Sequence, residues 1–276
     1  MKADVNKTSG SAKRAVLRVE RGLATSAEDW LAEEVPIAVH IDGSPFAVMM
    51  ATPNDLEDFA YGFALSEGLV IHRDAIREVT VREVLEGVEL NIATVAPRSS
   101  AERTPGERSI PGRSGCGICG SRELEDVVRH PRQVVGGPTV ETKALERALA
   151  MLGERQPVNA LTGAVHAAAW ADPYGDVVLV REDVGRHNAL DKLIGAMLRK
   201  ETDPLKGFLA ITSRASYEMV TKAATAGISL MAAISAPTAL AVHLARDCGV
   251  TLVGFARPGR HVIYTHPERM RHDHGG

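Results

Sequence analysis

Gly115-Cys116-Gly117-Ile118-Cys119-Gly120 holds the densest chemistry of this 276-residue chain. Two thiols so close in sequence can share one redox event or one metal ion. The flanking glycines free the backbone to turn N–H groups toward a sulfur anion, and Arg113 and Arg122 add positive charge. Both influences bring a thiol pKa down toward neutrality, and the thiolate is the reactive form. A thiolate on a Gly-rich loop suits a carrier that accepts sulfur as a persulfide and gives it up elsewhere. Zinc asks for four ligands, and a second cysteine pair is missing. Cys248 falls at a helix end and reads as a buried structural thiol, so only His130 or His166, brought in by the fold, could complete a zinc site. A thioredoxin-like disulfide would follow a strand, whereas this pair follows a segment without periodicity. The same six residues spell G-x-G-x-x-G, but a dinucleotide fingerprint also needs the preceding strand, so that match is accidental.

A second group of polar residues sits where strands should end. These are residues 181–188 (Arg-Glu-Asp-Val-Gly-Arg-His-Asn), 213–216 (Ser-Arg-Ala-Ser), 235–238 (Ser-Ala-Pro-Thr) and 257–260 (Arg-Pro-Gly-Arg). In open α/β sheets, ligands bind beyond the carboxyl ends of the strands, and helix N-termini with Arg and Ser nearby favour phosphates. Plain N-capping by Ser213, Ser216 and Ser235 is the simpler use of the same residues. His187 lies beside Asp183 and one helical turn before Asp191, enough for an ordinary hydrogen-bonding role. His166 is expected to begin an Ala-rich helix.

The elements that must position these groups can be read from the pattern. Residues 1–12 are expected to be disordered. Residues 15–20, Val35–Ile41 and 46–51 read as strands, the last two joined through Asp42-Gly43. Thr52-Pro53 should open a helix, with Thr52 as N-cap, that places Leu56, Phe59, Ala60, Phe63 and Ala64 on one face. Residues 79–84 and 88–92 form a second hairpin around Glu86-Gly87. Residues 96–120 are rich in Arg, Ser, Pro, Gly and Glu and should be a mobile loop carrying the cysteine pair. From 121 to 276 strands alternate with helices, one helix being capped by Ser235, which argues for a layered α/β sheet. The expected division is a β-rich N-terminal portion over 13–95, the loop, and an α/β cofactor-binding domain over 121–276.

Composition removes several classes of function. Thirty-two basic against 35 acidic side chains give a net charge of −3, no footprint for nucleic acid. Pro237 and His243 interrupt the longest weakly polar run, so no membrane span is expected. The polar start of the chain lacks a secretory signal, and the three cysteines then suit a reducing, cytoplasmic compartment.

Six segments in order resemble the FdhD family of formate dehydrogenase accessory sulfurtransferases. They are residues 55–60 (Asp-Leu-Glu-Asp-Phe-Ala), 116–120, 162–168 (Thr-Gly-Ala-Val-His-Ala-Ala), 182–189, 235–238 and 254–257 (Gly-Phe-Ala-Arg). The resemblance runs from about residue 30 onward. It implies a cytidine-deaminase-like layered α/β domain with a smaller β-rich N-terminal portion, and a homodimer. The implied activity is a sulfurtransferase, a persulfide carrier between an L-cysteine desulfurase and the molybdenum cofactor. That substrate is a bis-molybdopterin guanine dinucleotide, sulfurated before insertion into formate dehydrogenase. Cys116 would bear the persulfide, with Cys119 as its partner. Phe255, Ala256, Arg257, Pro258, Gly259 and Arg260 would hold the cofactor, with His187, Arg214 and Ser216 at the neighbouring strand ends and GDP as a mimic. No tightly bound metal is expected. The competing reading is a cofactor-binding chaperone whose cysteines are a redox switch or metal clip. Deamination is not expected, because His166-Ala167-Ala168 lacks the Glu of H-x-E and the cysteine pair precedes the histidine.

Overall fold

A computed structural model describes residues 10–96 and 131–272. The cysteine pair, nearly all of the expected loop and the first nine residues lie outside the described residues. Ser11 and Ala12, expected in a disordered tail, instead begin strand β1 (Ser11–Glu20). They pair with Ala32 and Leu31 of β2 (Leu23–Ala32), a strand the sequence pattern did not announce.

Strands β3 (Val35–Ile41), β4 (Ser44–Ala51), β5 (Ile76–Val84) and β6 (Gly87–Thr94) form a four-stranded sheet in the order β4-β3-β6-β5. The Asp42-Gly43 turn has positive φ at both residues, 50° and 77°, the geometry that a two-residue hairpin requires. Every second residue of β3 and β6 is buried. Ile37, Val39, Leu90 and Ile92 meet Phe59 and Phe63 of helix α1 (Leu56–Ser66) in one core. That helix starts three residues later than expected from a Thr52 cap. Its N-cap is Asp55, because Thr52 is engaged elsewhere: its N–H donates to Asp183 and its hydroxyl accepts from the Val184 N–H.

The larger sheet has the strand order β13-β12-β11-β10-β8-β9. Its strands are β8 (His166–Ala171), β9 (Val177–Asp183), β10 (Phe208–Ile211), β11 (Leu230–Ala233), β12 (Thr251–Arg257) and β13 (Arg260–Ile263). A short pair, β7 (Val140–Glu141) and β14 (Met270–Arg271), lies apart. Strands β10, β11 and β12 are parallel, and β8 runs against both β10 and β9. The carboxyl ends of β9, β10, β11 and β12 therefore share one edge. His166, expected to start a helix, opens β8 at that same edge. Tertiary packing overrides the helix preference of its alanines: Ala167, Ala169 and Ala171 face one layer while Ala168 and Trp170 face the other.

On one side the sheet packs helix α2 (Thr142–Glu154), with α3 (Pro157–Thr162) after it. The other side carries α4 (Arg186–Arg199), α5 (Tyr217–Thr225) and α6 (Ala239–Asp247) and shares its core with α1 and the four-stranded sheet. Helices α1 and α4 touch backbone to backbone. A Cβ on Gly62 would stand 1.7 Å from the Asp191 carbonyl oxygen, and one on Gly195 would stand 1.7 Å from that of Asp58. Gly195→Ala is therefore expected to lower stability by about 3 kcal/mol in urea denaturation, by forcing the two helices apart. A loss under about 0.5 kcal/mol, the range of a surface substitution, would contradict this packing.

Candidate functional site

Backbone hydrogen bonds join the strand ends into a continuous rim. Thr212 N–H donates to Ala167 O (3.0 Å), Ile234 N–H to Ile211 O (2.9 Å) and Phe255 N–H to Ser235 O (3.1 Å). The loops after β10 and β11 are bonded both ways, Ala215 N–H to Ala236 O and Thr238 N–H to Ala215 O. Three of the polar segments singled out by sequence, residues 181–188, 213–216 and 235–238, are thus neighbours at one edge.

Three helices start from this rim. Helix α6 is capped by Thr238, whose hydroxyl accepts from Ala241 N–H, and not by Ser235 as its position suggested, since residues 235–237 continue the rim. The N-cap residues of α4 and α5, Gly185 and Ser216, make no side-chain cap bond, so the dipole-positive ends of two helices are left to other partners. Ser216 occupies the expected cap position, but its buried Oγ has no hydrogen-bond partner among the described residues. Ser213 is buried and its hydroxyl donates to the Arg214 carbonyl oxygen, so it does not cap. Arg214 is exposed.

His187 is buried in the first turn of α4. Its partner is neither Asp183 nor Asp191 but Glu218, in the first turn of α5, with Nε2 and Oε2 2.8 Å apart. Both expected partners are committed to other cations. Asp183 accepts from Lys192 Nζ (2.7 Å), Thr52 N–H, Gly185 N–H and the Asn188 amide. Asp191 accepts from Lys222 Nζ at 2.9 Å and from the Ser66 hydroxyl at 2.7 Å. Burial pushes the Asp191 carboxyl up, with Lys222 opposing it, and pushes the Lys192 ammonium down, with Asp183 opposing it. The two buried pairs join α4 to β9 and to α5, and their further hydrogen bonds to Thr52, Asn54 and Ser66 tie the same groups to the N-terminal portion, which holds the rim in place. His166 faces the same rim. Burial lowers its pKa, and the neighbouring Arg186 and His187 lower it further against the opposing pull of Asp183, which favours the uncharged ring.

The last candidate segment has unusual geometry. Phe255 is 38% exposed and sits at φ +50°, where the register of β12 against β13 shifts. An aromatic residue seldom adopts the left-handed region, and such strain accumulates at functional positions. Ala256 is buried in the core that α2 shares, while Arg257 and Arg260 are exposed and face each other across the Pro258-Gly259 turn. Gly259, at φ +74°, donates its N–H to Glu146 of α2 at 2.7 Å. A cavity of about 400 Å³ beside the hairpin is lined by Gly259, Arg260, His261 and residues of α2. Phe255 thus joins the rim through Ser235, while the arginine hairpin reaches past it and rests on α2.

Sequence reasoning missed Glu218 and the rim position of His166. The sign of Glu218 was an acid in the first turn of a helix that follows a Ser-rich strand end. Among the described residues no cluster of three His, Cys, Asp or Glu could hold a metal ion, and no helix is long and apolar enough to cross a membrane.

The FdhD/NarQ family model matches residues 32–271. A protein of Xanthomonas campestris pv. campestris (strain B100) named sulfur carrier protein FdhD is 54% identical over 95% of this chain and 92% of its own length. One of the same name from Variovorax paradoxus (strain S110) is 47% identical, over 97% of this chain and 96% of its own. A crystal structure from Desulfotalea psychrophila, described as a candidate formate dehydrogenase accessory protein, superposes with a TM-score of 0.74. It covers 95% of this chain and 99% of that one at 23% identity, a shared fold. From six ordered motifs, a layered α/β sheet and matches spanning nearly its whole length, the chain belongs to the FdhD/NarQ family.

Proposed function

We propose that this chain is a sulfur carrier. It takes sulfur from an L-cysteine desulfurase as a persulfide on Cys116 and passes it to the molybdenum cofactor, a bis-molybdopterin guanine dinucleotide, before that cofactor enters formate dehydrogenase. The observation that carries the reading is the rim. Two helix N-termini without side-chain caps among the described residues, the cationic Arg186 and Arg214, and a Ser216 hydroxyl with no hydrogen-bond partner among those residues suit an anionic substrate rich in phosphate. The relatives named as sulfur carriers support the transfer chemistry.

The chemistry balances with the thiols alone. The Cys116 thiolate attacks the outer sulfur of the desulfurase persulfide, forming a new S–S bond and releasing the desulfurase cysteine as a thiolate. In delivery, the Cys119 thiolate attacks Cys116 Sγ and the terminal sulfur leaves as sulfide. The two thiols supply its two electrons and end as a disulfide. Arginines and helix N-termini at the rim would hold phosphates, and the exposed Phe255 ring offers a flat face for a guanine.

GDP, standing in for half of the dinucleotide, is therefore expected to bind and to raise thermal stability. At about 100 times its Kd it contributes roughly 2.7 kcal/mol. Arg257→Ala should weaken this binding while persulfide loading on Cys116 continues, because loading and delivery use different parts of the chain. GDP affinity unchanged in both Arg257→Ala and Arg260→Ala would remove the hairpin from the site.

A further inference from the structure

His261 and His272 bring two imidazoles together beside the arginine hairpin. Their rings stack with centroids 5.7 Å apart and planes at 29°. His261 belongs to β13, and His272 follows β14, whose Arg271 pairs with Glu141 of β7 just ahead of α2. The two histidines, Arg260, Thr142 and Glu146 line the cavity of about 400 Å³. It lies on the α2 side of the sheet, whereas the rim helices α4, α5 and α6 pack on the other side. Nothing stands within 4 Å of where a Cβ on Gly259 would be, so the hairpin tip leaves the space open.

The lining is rich in donors and poor in acids. Arg260 is exposed and makes no ion pair among the described residues. Glu146 is the single acid of the lining, and its Oε1 already accepts the Gly259 N–H at 2.7 Å. The Thr142 hydroxyl donates to the Arg271 carbonyl oxygen at 3.3 Å, so toward His272 it is the acceptor, and Nδ1, 3.2 Å away, carries the proton. That makes His272 Nε2 an acceptor in the neutral ring and a donor in the charged one. Burial lowers the His261 pKa, the neighbouring His272 lowers it further, and Glu146 opposes both. The other charged groups on the surrounding elements are Lys143 of α2, Glu141, Arg271, and Arg257 across the hairpin turn. Side by side, the two rings resist being charged together, and an anion between them removes that penalty.

We infer that this cavity is an anion site that takes one phosphoryl group between Arg260 and the His261–His272 pair, more tightly as the solution becomes acidic. Arg260 supplies a fixed charge with a fork of donors, and each imidazolium adds a charge-assisted hydrogen bond. Protonation and binding are linked. The bound anion favours the charged rings, so affinity falls as pH rises through the histidine range. A phosphoryl group held there joins β13 to α2 and to the end of β14, and so steadies the hairpin from the side opposite the rim. No sulfur transfer is involved, so a negative result leaves the carrier reading untouched.

Sulfate is the probe, because it stays doubly charged across the histidine range and any pH dependence then belongs to the protein. The full-length chain is titrated with sulfate at constant ionic strength in phosphate-free buffer, at about pH 6 and about pH 8, while assigned imidazole NMR resonances are followed. His261 and His272 should shift saturably in the millimolar range, and affinity should be roughly tenfold weaker at the higher pH. His243, exposed on α6, should not respond. Glu146→Gln keeps an acceptor for the Gly259 N–H but loses the acid, so it should tighten binding severalfold, which a merely structural role would not do. Arg260→Ala should weaken binding about tenfold, and His261→Gln with His272→Gln should abolish the pH dependence. Competition by GDP makes the occupant a nucleotide phosphate, and competition by inorganic phosphate alone makes it a free one. A wild type without a saturable response at either pH overturns the inference. So does a response shared by His243, or a pH dependence that survives in the folded double variant. If that variant misfolds by circular dichroism, the wild-type resonances still decide, since they report the two rings directly.

Discussion

Cys116→Ala is expected to leave formate dehydrogenase without activity above background when the variant replaces the wild-type carrier in a complementation assay. The loss should be complete, because the carrier reading puts the persulfide on one specific thiolate. Cys248 cannot substitute. It is buried at the end of α6, and burial raises its pKa, with the Asp247 charge adding to the shift, which disfavours the thiolate. The melting temperature should not change, which separates lost chemistry from lost fold. Cys119→Ala should be milder, because an external thiolate can attack Cys116 Sγ in its place, releasing the outer sulfur as sulfide and leaving a mixed disulfide. Wild-type enzyme activity with Cys116→Ala would sink the carrier reading and favour a chaperone whose cysteines do something else.

The second large effect is on stability. Asp183→Ala should cost about 3–5 kcal/mol in urea denaturation, a large part of the total stability of an ordinary domain. Lys192 is completely buried, and its ammonium then keeps, among the described residues, only neutral acceptors: the Thr52 carbonyl and Asn54 side-chain oxygen at 2.9 Å and the Glu182 carbonyl oxygen at 3.5 Å. The substitution also strips acceptors from the Thr52 and Gly185 N–H groups and from Asn188, loosening the α4 N-terminus from the N-terminal portion. Lys192→Met together with Asp183→Asn should recover much of the loss, since the buried charge disappears along with its partner. A loss below about 1 kcal/mol for Asp183→Ala, the scale of a single ordinary hydrogen bond, would mean that the pair does not anchor the rim.

What the sequence disclosed, and what it hid, follows the range of the interactions. The Asp42-Gly43 and Glu86-Gly87 hairpins were legible because a tight turn is decided by the residues in it. So was the alternation that puts four strand ends at one edge, because parallel strands joined through helices leave little choice. Strand β2 was hidden, since Leu-Ala-Thr-Ser-Ala-Glu-Asp-Trp-Leu-Ala has no clean period of two and is held by pairing with β1. His166–Ala171 read as helix because alanine favours helix, yet the strand lies between two packed layers that small side chains allow to approach. Thr52 and Ser235 looked like caps by their neighbours and were drawn away by groups distant in sequence. The same holds for His187, whose partner Glu218 arrives only when α4 and α5 start side by side. The site was therefore legible as a set of segments, but its pairings were not.

The central claim is that sulfur resides on Cys116. Intact-protein and peptide mass spectrometry after incubation with an L-cysteine desulfurase and L-cysteine tests it directly. One added sulfur atom is expected on the peptide containing Cys116, removable by dithiothreitol, absent without the desulfurase and absent in Cys116→Ala. A chain that stays unmodified while the desulfurase turns over cysteine, or one that gains sulfur equally well in Cys116→Ala, would contradict the account.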